Sequence, residues 1–125
     1  MDMQFDNMTT AVGFAKNGQA KALAVTSLAR SPLQPELPTL AETGVPGFEA
    51  VTWLGLLAPA NTPPAVVNWL NKEVVSVLES PSVTSRLAAQ GFTPKPMTPE
   101  AFRKFIQAET VKFSELIKAN NITID

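Results

Sequence analysis

The chain contains no cysteine, no histidine and no tyrosine among its 125 residues. The lack of cysteine excludes disulfides and thiol nucleophiles, and the lack of both cysteine and histidine excludes the usual zinc sites. Histidine is also the only side chain whose unperturbed pKa makes it a ready acid or base near neutrality. Catalysis would have to rest on Asp, Glu, Lys, Ser or Thr, so the composition favours a binding protein over an enzyme.

Strong charge and long apolar runs are missing too. Ten basic and eleven acidic residues give a net charge of −1 without a basic stripe, so nucleic acid is not an expected partner. No apolar run approaches the ~20 residues that span a bilayer. The opening MDMQFDNMTT lacks the basic and apolar regions of a signal peptide. A chain that truly starts at Met1 is therefore expected in the cytoplasm.

The phosphate-binding signatures G-x-x-x-x-G-K-S/T and G-x-G-x-x-G do not occur in the sequence. No recognisable motif pairs two carboxylates for acid and base work. We therefore expect no catalytic residue, no cofactor and no metal.

The sequence does contain enough apolar residues, 45% of the total, to build a folded domain. Asp6-Asn7 can start a helix over about residues 8–16, which Asn17-Gly18 would end. Residues 20–26 (AKALAVT) then read as a buried strand, and residues 2–5 as the end of another. This strand–helix–strand order is typical of α/β folds.

The next segment, residues 31–47, holds four prolines and two glycines and predicts a stiff, irregular connection. Thr39 and Glu42 within it stand at the spacing of a capping box around one helical turn, which Gly44 would end. Residues 48–64 (FEAVTWLGLLAPANTPP) follow, and their apolar run predicts a second buried strand.

Three Ser/Thr-Pro pairs at 62, 80 and 98 predict three helix starts. Gly91 would end the second helix and Asn120-Asn121 the third, and residues 122–124 could add a short strand. Apolar residues at helical spacing predict the buried faces: Val66, Val67, Leu70, Val74, Val77 and Leu78 on the first helix, and Phe102, Phe105, Ile106, Phe113, Leu116 and Ile117 on the third. Trp53 is interpreted as packing, and Glu109 as a solvated or paired carboxylate.

Polar groups gather at the first predicted helix start, where Asp6, Asn7, Thr9 and Thr10 follow one another closely. In α/β folds such turns can bind small solutes, because helix amides point towards anions there. A capped helix with two solvated threonines explains the same residues, and spacing alone favours that simpler interpretation.

Several ordered segments resemble the C-terminal portion of the Bug family, the extracytoplasmic solute receptors of tripartite tricarboxylate transporters. They are ALAVTS, RSP, LPTLAETGVPGF, WLGLLAP and TP, with FDN before them and RLAAQGFTPKP after them. The resemblance covers nearly the whole chain, although family members are usually more than twice as long.

The resemblance implies a partial periplasmic-binding-protein-like (type II) α/β fold. Residues 1–47 would be the tail of the second lobe, and residues 48–125 a crossing strand with the C-terminal helices of the first lobe. It also implies a periplasmic receptor that binds a small organic acid without chemistry and works with the transporter's membrane subunits. Of the family's pocket segments, it maps only Phe5, Asp6 and Asn7 onto this chain, with Thr9 beside them.

The length difference suggests a truncated receptor and opens a second functional hypothesis. Strands without their neighbours expose unpaired edges, which invite pairing with another chain. The alternative is therefore a homo-oligomerising interaction module, expected as a homodimer, that has lost ligand binding through truncation.

Overall fold

The structure is a computed structural model that describes residues 3–123. The described residues contain four α-helices: α1 (Met8–Lys16), α2 (Pro64–Glu79), α3 (Pro81–Ala89) and α4 (Pro99–Ala119). They divide into two compact units. The first takes the chain up to Leu57 together with Pro81–Pro94, and the second combines Ala58–Ser80 with the chain from Lys95 onwards.

The core of the first unit is a single point where two distant segments meet. Val25 and Thr39 form an isolated parallel bridge, in which the Val25 amide donates to Pro38 O at 2.9 Å and the Leu40 amide donates to Val25 O at 2.9 Å. Val25 is 7% exposed and Thr39 is 1% exposed, and no other residue between 3 and 123 is buried. This bridge therefore holds the Pro-rich segment, which contains Thr39, against Val25.

The capping box predicted for Thr39 and Glu42 is confirmed. The Thr39 amide donates to Glu42 Oε2 at 2.7 Å, and the Glu42 amide donates to Thr39 Oγ1 at 3.1 Å. Arg30 Nε also donates to Glu42 Oε2 at 3.1 Å, which ties the preceding loop to the same turn. Gly44 follows the turn with a φ of 127°, a conformation that a glycine adopts without strain.

The two predicted buried strands are wrong as local structure. Among the described residues, segment 20–26 has only the bridge at Val25, and segment 51–58 has no strand assignment. Leu54, Leu56 and Leu57 are 77%, 76% and 78% exposed. A strand exists only through hydrogen bonds to a neighbour, and the Ala50 amide, which donates to Thr26 O at 3.0 Å, lies just before this segment.

Two helices of the first unit agree with the sequence prediction. Helix α1 has the predicted extent and ends at Asn17, after which Gly18 has a φ of 68°. Helix α3 begins at Pro81 as predicted, and Gly91 follows it with a φ of 80°. A β-carbon on Gly91 would lie 3.5 Å from both Leu33 and Met8, so the end of α3 lies against residues from the N-terminal half of this unit.

Helices α2 and α4 form the second unit. Helix α4 begins as predicted, with Thr98 as N-cap and its Oγ1 accepting the Ala101 amide at 3.1 Å. The predicted start of α2 is wrong by one residue, because Pro63 is the N-cap and Pro64 the first helical residue. Thr62 does not cap the helix, since its hydroxyl donates to Pro59 O at 2.8 Å instead.

Helices α2 and α4 contact each other. Asn71 Nδ2 on α2 donates to Met97 O, just before α4, at 3.0 Å. The half-buried residues of these helices are Val67, Asn71, Val74, Val75, Leu78, Pro99, Phe102, Phe105, Ile106, Glu109, Lys112 and Ser114. The predicted stripes are therefore correct only in part. Exposed members are Val66, Leu70 and Val77 on α2, and Phe113, Leu116 and Ile117 on α4.

Two further expectations concern single residues and the chain ends. Glu109 is a paired carboxylate, as predicted, with Lys112 Nζ at 2.8 Å from its Oε1. Trp53 is 40% exposed, so it is less enclosed than its place in an apolar run suggested. Helix α4 ends at Asn120 as predicted, whereas the strands predicted around residues 2 and 124 lie partly outside the described residues.

Candidate ligand-binding turn

The candidate site is the turn that leads into α1. Asn7 is the N-cap residue, with φ −66° and ψ 142°, and its carbonyl accepts the amides of Thr10 at 3.0 Å and Ala11 at 2.9 Å. The helix starts at Asp6-Asn7 as predicted, but the Asn7 side chain makes no capping bond. The backbone starts the helix instead, which leaves the Asn7 side chain for another contact.

Asp6 stabilises the turn through both of its carboxylate oxygens. Its Oδ1 accepts the Asn7 amide at 2.7 Å, and its Oδ2 accepts Gln4 Nε2 at 3.2 Å. These contacts place the negative charge next to the positive end of the α1 dipole, where it is favourable. The contacts of Asp6 therefore stabilise the conformation of the turn.

Asn7 contacts a residue 45 positions away. Thr52 Oγ1 donates to Asn7 Oδ1 at 3.3 Å, and both residues belong to the first unit. Sequence reasoning missed Thr52 as a site residue. The available signal was its side chain, the only hydroxyl in the otherwise apolar run of residues 51–58.

The other two predicted site residues flank this pair along the chain. Phe5 precedes it and is 71% exposed, and Thr9 is an exposed residue in the first turn of α1. The structure thus brings Asp6 and Asn7 into direct contact with each other, and it leaves the side chains of Phe5 and Thr9 open to solvent.

The turn offers mainly hydrogen-bond donors. The amides of the first helical turn have no partner inside a helix, and α1 begins with Met8 and Thr9. The Thr9 hydroxyl and the Asn7 Nδ2 group can donate as well. Donors of this kind at a helix N-terminus are the groups that bind an acceptor such as a carboxylate oxygen.

Residues 3–123 show neither a metal-binding cluster nor a membrane-spanning helix. No cluster of three or more Asp and Glu side chains in this range is arranged to hold a metal ion. No helix in the same range is both long enough and apolar enough to cross a membrane.

Comparison with known proteins decides the family. Residues 1–122 match the model of the tripartite tricarboxylate transporter family receptor. The chain belongs to this receptor family. A protein from the clcB–clcD intergenic region of Pseudomonas knackmussii is 35% identical over 118 residues, which cover 94% of this chain and 70% of the relative. The resemblance to the C-terminal portion of Bug receptors is thereby confirmed.

Other curated relatives are longer. A protein from the tcbD–tcbE intergenic region of a Pseudomonas species is 38% identical over 94% of this chain and 35% of its own length. BugT of Bordetella pertussis is 35% identical over 90% of this chain and 35% of its own length. The chain thus spans about a third of the length of these two relatives.

Solved structures of the family have the same fold over the matching part. A protein of R. palustris, solved with adipate, superimposes with a TM-score of 0.81 and 34% identity over 94% of this chain and 40% of that one. The periplasmic binding protein BugD superimposes with a TM-score of 0.73 and 35% identity over 90% of this chain and 38% of its own. The predicted partial periplasmic-binding-protein-like fold is confirmed, and the family consists of receptors rather than enzymes.

Proposed function

We propose that this chain is the solute-binding part of a tripartite tricarboxylate transporter receptor, that it binds a small carboxylate and that it catalyses no reaction. The observation that carries the proposal is the donor-rich turn at the start of α1, in a chain similar to a protein solved with adipate. In the complete receptor it acts in the periplasm and delivers its ligand to the transporter's membrane subunits.

The proposed ligand contacts follow from the chemistry of each side chain. Asn7 and Thr9 donate hydrogen bonds to the ligand carboxylate, together with the amides of the first helical turn. Asp6 holds the turn in shape through its bond from the Asn7 amide. Phe5, which is 71% exposed, covers the aliphatic part of the acid.

The lobe assignment made from the sequence is part of the same proposal. Residues 1–47 belong to the tail of the second lobe, and residues 48–125 form the crossing segment and the C-terminal helices of the first lobe. The match covers 94% of this chain but only 40% of the R. palustris chain, which supports a partial fold. The compact units divide the chain differently, because Pro81–Pro94 belongs with the chain up to Leu57.

Isothermal titration calorimetry with adipate tests the binding proposal. We expect saturable binding by the 125-residue chain, and at least about fivefold weaker binding by Asn7→Ala, because one hydrogen bond to a charged group is lost. Asn68→Ala is the matched control, since Asn68 is an exposed residue on α2 in the other unit. The absence of binding to adipate and to other dicarboxylates at millimolar concentration would contradict the proposal for this chain.

A second candidate function is homo-oligomerisation, and the exposure of Leu54, Leu56 and Leu57 favours it. Within residues 3–123 this segment has no strand assignment, and backbone without a strand neighbour can pair with another chain. The same segment of a second copy could pair with it around a two-fold axis. Sedimentation at micromolar concentration is expected to give a dimer, and a compact monomer of 13.4 kDa would exclude this candidate.

A further inference from the structure

We propose that Asn17 is a site of spontaneous modification, where deamidation converts the asparagine at the end of α1 into aspartate or isoaspartate. The observation that carries this inference is the pair Asn17-Gly18, which directly follows the last helical residue and is exposed at both positions. The inference does not depend on the proposed binding function, because the reaction needs neither a ligand nor another protein.

The reaction uses only groups of Asn17 and Gly18 together with water. The Gly18 amide nitrogen attacks the side-chain carbonyl carbon of Asn17, and the new C–N bond closes a succinimide ring. The attacking nitrogen gives up its proton and the side-chain NH₂ leaves as ammonia. Water then opens the ring at the side-chain carbonyl, which gives aspartate, or at the main-chain carbonyl, which gives isoaspartate. No electrons are exchanged with an oxidant or a reductant.

The residue that follows distinguishes Asn17 from the other asparagines of the chain. Glycine has no β-carbon to cover its amide nitrogen, and the space where a β-carbon of Gly18 would lie has no atom within 4 Å. Larger residues, namely Met, Thr, Trp, Lys, Asn and Ile, follow Asn7, Asn61, Asn68, Asn71, Asn120 and Asn121 in that order. Asn61 is the best comparison, because it is exposed outside the helices but precedes the β-branched Thr62.

The last turn of α1 controls the reaction. Asn17 has a ψ of 3°, which turns the Gly18 nitrogen towards the Asn17 nitrogen rather than towards its side chain. The Gly18 amide also donates to Ala15 O at 3.1 Å, and the Gln19 amide donates to Phe14 O at 2.9 Å. Ring closure therefore requires these bonds to open, and opening at a helix end costs less free energy than global unfolding.

Modification weakens the same helix end. An aspartate at position 17 adds a negative charge next to the negative end of the α1 dipole, which is unfavourable. Isoaspartate adds a carbon to the main chain, so the amides of Gly18 and Gln19 no longer reach Ala15 and Phe14 in the same geometry. The product is therefore expected to have a less ordered end of α1 than the original chain.

Peptide mapping by mass spectrometry tests the site after incubation of the folded chain in mildly alkaline buffer. The peptide that contains Asn17 is expected to gain the mass difference between NH₂ and OH, and the peptide that contains Asn61 is expected to keep its mass. Asn17→Gln should lose the signal, because the longer side chain closes its ring far more slowly. An unmodified Asn17, or modification of Asn61 at the same rate, would overturn the inference.

Gly13→Ala tests the control by α1. Gly13 lies in the C-terminal half of α1, and its carbonyl accepts the Asn17 amide at 3.2 Å. Alanine strengthens the helix, so deamidation of Asn17 in the folded G13A chain should be about two- to fivefold slower. In urea, where α1 is absent, both chains should react at one common and faster rate. An unchanged rate in the folded variant, or a different rate in urea, would overturn the control by α1.

Discussion

Thr39 and Glu42 each satisfy a backbone amide of the other, with the Thr39 amide 2.7 Å from Glu42 Oε2 and the Glu42 amide 3.1 Å from Thr39 Oγ1. Thr39 is also bridged to Val25, so this reciprocal pair lies on the only buried point among the described residues. Arg30 Nε joins it at 3.1 Å from Glu42 Oε2 and at 3.2 Å from Oε1. The turn that follows the bridge is therefore stabilised by a charged side chain.

This arrangement predicts a pH dependence of stability. The hydrogen bond from the Thr39 amide, and then that from Arg30, lower the pKa of Glu42 below its ordinary value of 4.5. A carboxylate with a lowered pKa in the folded state adds stability above its unfolded pKa, and this stability is lost as the pH falls through the folded value. Urea unfolding of the chain between pH 7 and pH 3 is expected to reveal this loss.

Substitution of Glu42 identifies the group responsible. Glu42→Gln can still accept the Thr39 amide but loses the charge, so we expect a lower unfolding midpoint at pH 7 and a smaller loss of stability on acidification. Glu36→Gln is the matched control, because Glu36 is exposed in the same segment and should keep the original pH dependence. An E42Q variant with the pH dependence of the unsubstituted chain would contradict the assignment.

Two glycine substitutions should change stability in opposite directions. Gly91 has a φ of 80°, and an added β-carbon there costs about 1–2 kcal/mol of strain. Gly13 lies inside α1, and a β-carbon added to it would have no neighbouring atom within 4 Å, so Gly13→Ala should stabilise the chain by about 0.5–1 kcal/mol. Thermal and urea unfolding measure both effects. A Gly91→Ala variant as stable as the unsubstituted chain would contradict the left-handed backbone conformation of Gly91, which follows α3.

The N-cap of α4 gives a third stability prediction. Thr98→Ala removes the oxygen that accepts the Ala101 amide at 3.1 Å, and should lower the free energy of unfolding by about 1 kcal/mol. Thr98→Ser keeps this oxygen and should remain within a few tenths of a kcal/mol of the original. If both variants lost the same stability by urea unfolding, the methyl group rather than the cap would be responsible.

The exposed leucines predict an effect on association rather than on folding. Leu54 and Leu56 are 77% and 76% exposed, so the double substitution L54S/L56S removes little packing from the described chain. We expect helix content by circular dichroism to stay unchanged while any dimer seen in sedimentation dissociates. Leu116→Ser provides a comparison at an exposed apolar residue of α4 that is 48% exposed, and it should leave the dimer intact. Dissociation by both variants would indicate nonspecific apolar association.

Local signals predicted the helices well, because their determinants lie within a few residues. Thr98 before Pro99 marks the start of α4, and Asn17-Gly18 marks the end of α1. The spacing of Thr39 and Glu42 likewise predicted a reciprocal capping pair. The start of α2 was wrong by one residue because two consecutive prolines, Pro63 and Pro64, both fit a helix N-terminus.

The candidate site was predictable only in part. The predicted site residues lie close together in the sequence and are Phe5, Asp6, Asn7 and Thr9. The prediction rests on the resemblance of FDN to the receptor family. The contact between Asn7 and Thr52 could not be read from the sequence, because it depends on the attachment of Ala50 to Thr26.

The sequence by itself determined which residues form helices, the capping turn of the Pro-rich segment and the receptor family. Each depends on residue order, either through caps and turns that act over three or four positions or through ordered motifs. Only the tertiary structure decided that the apolar run 51–58 is exposed and that Thr52 meets Asn7. An apolar pattern records a tendency to be buried, but burial and hydrogen bonding require a partner surface, which local sequence does not specify.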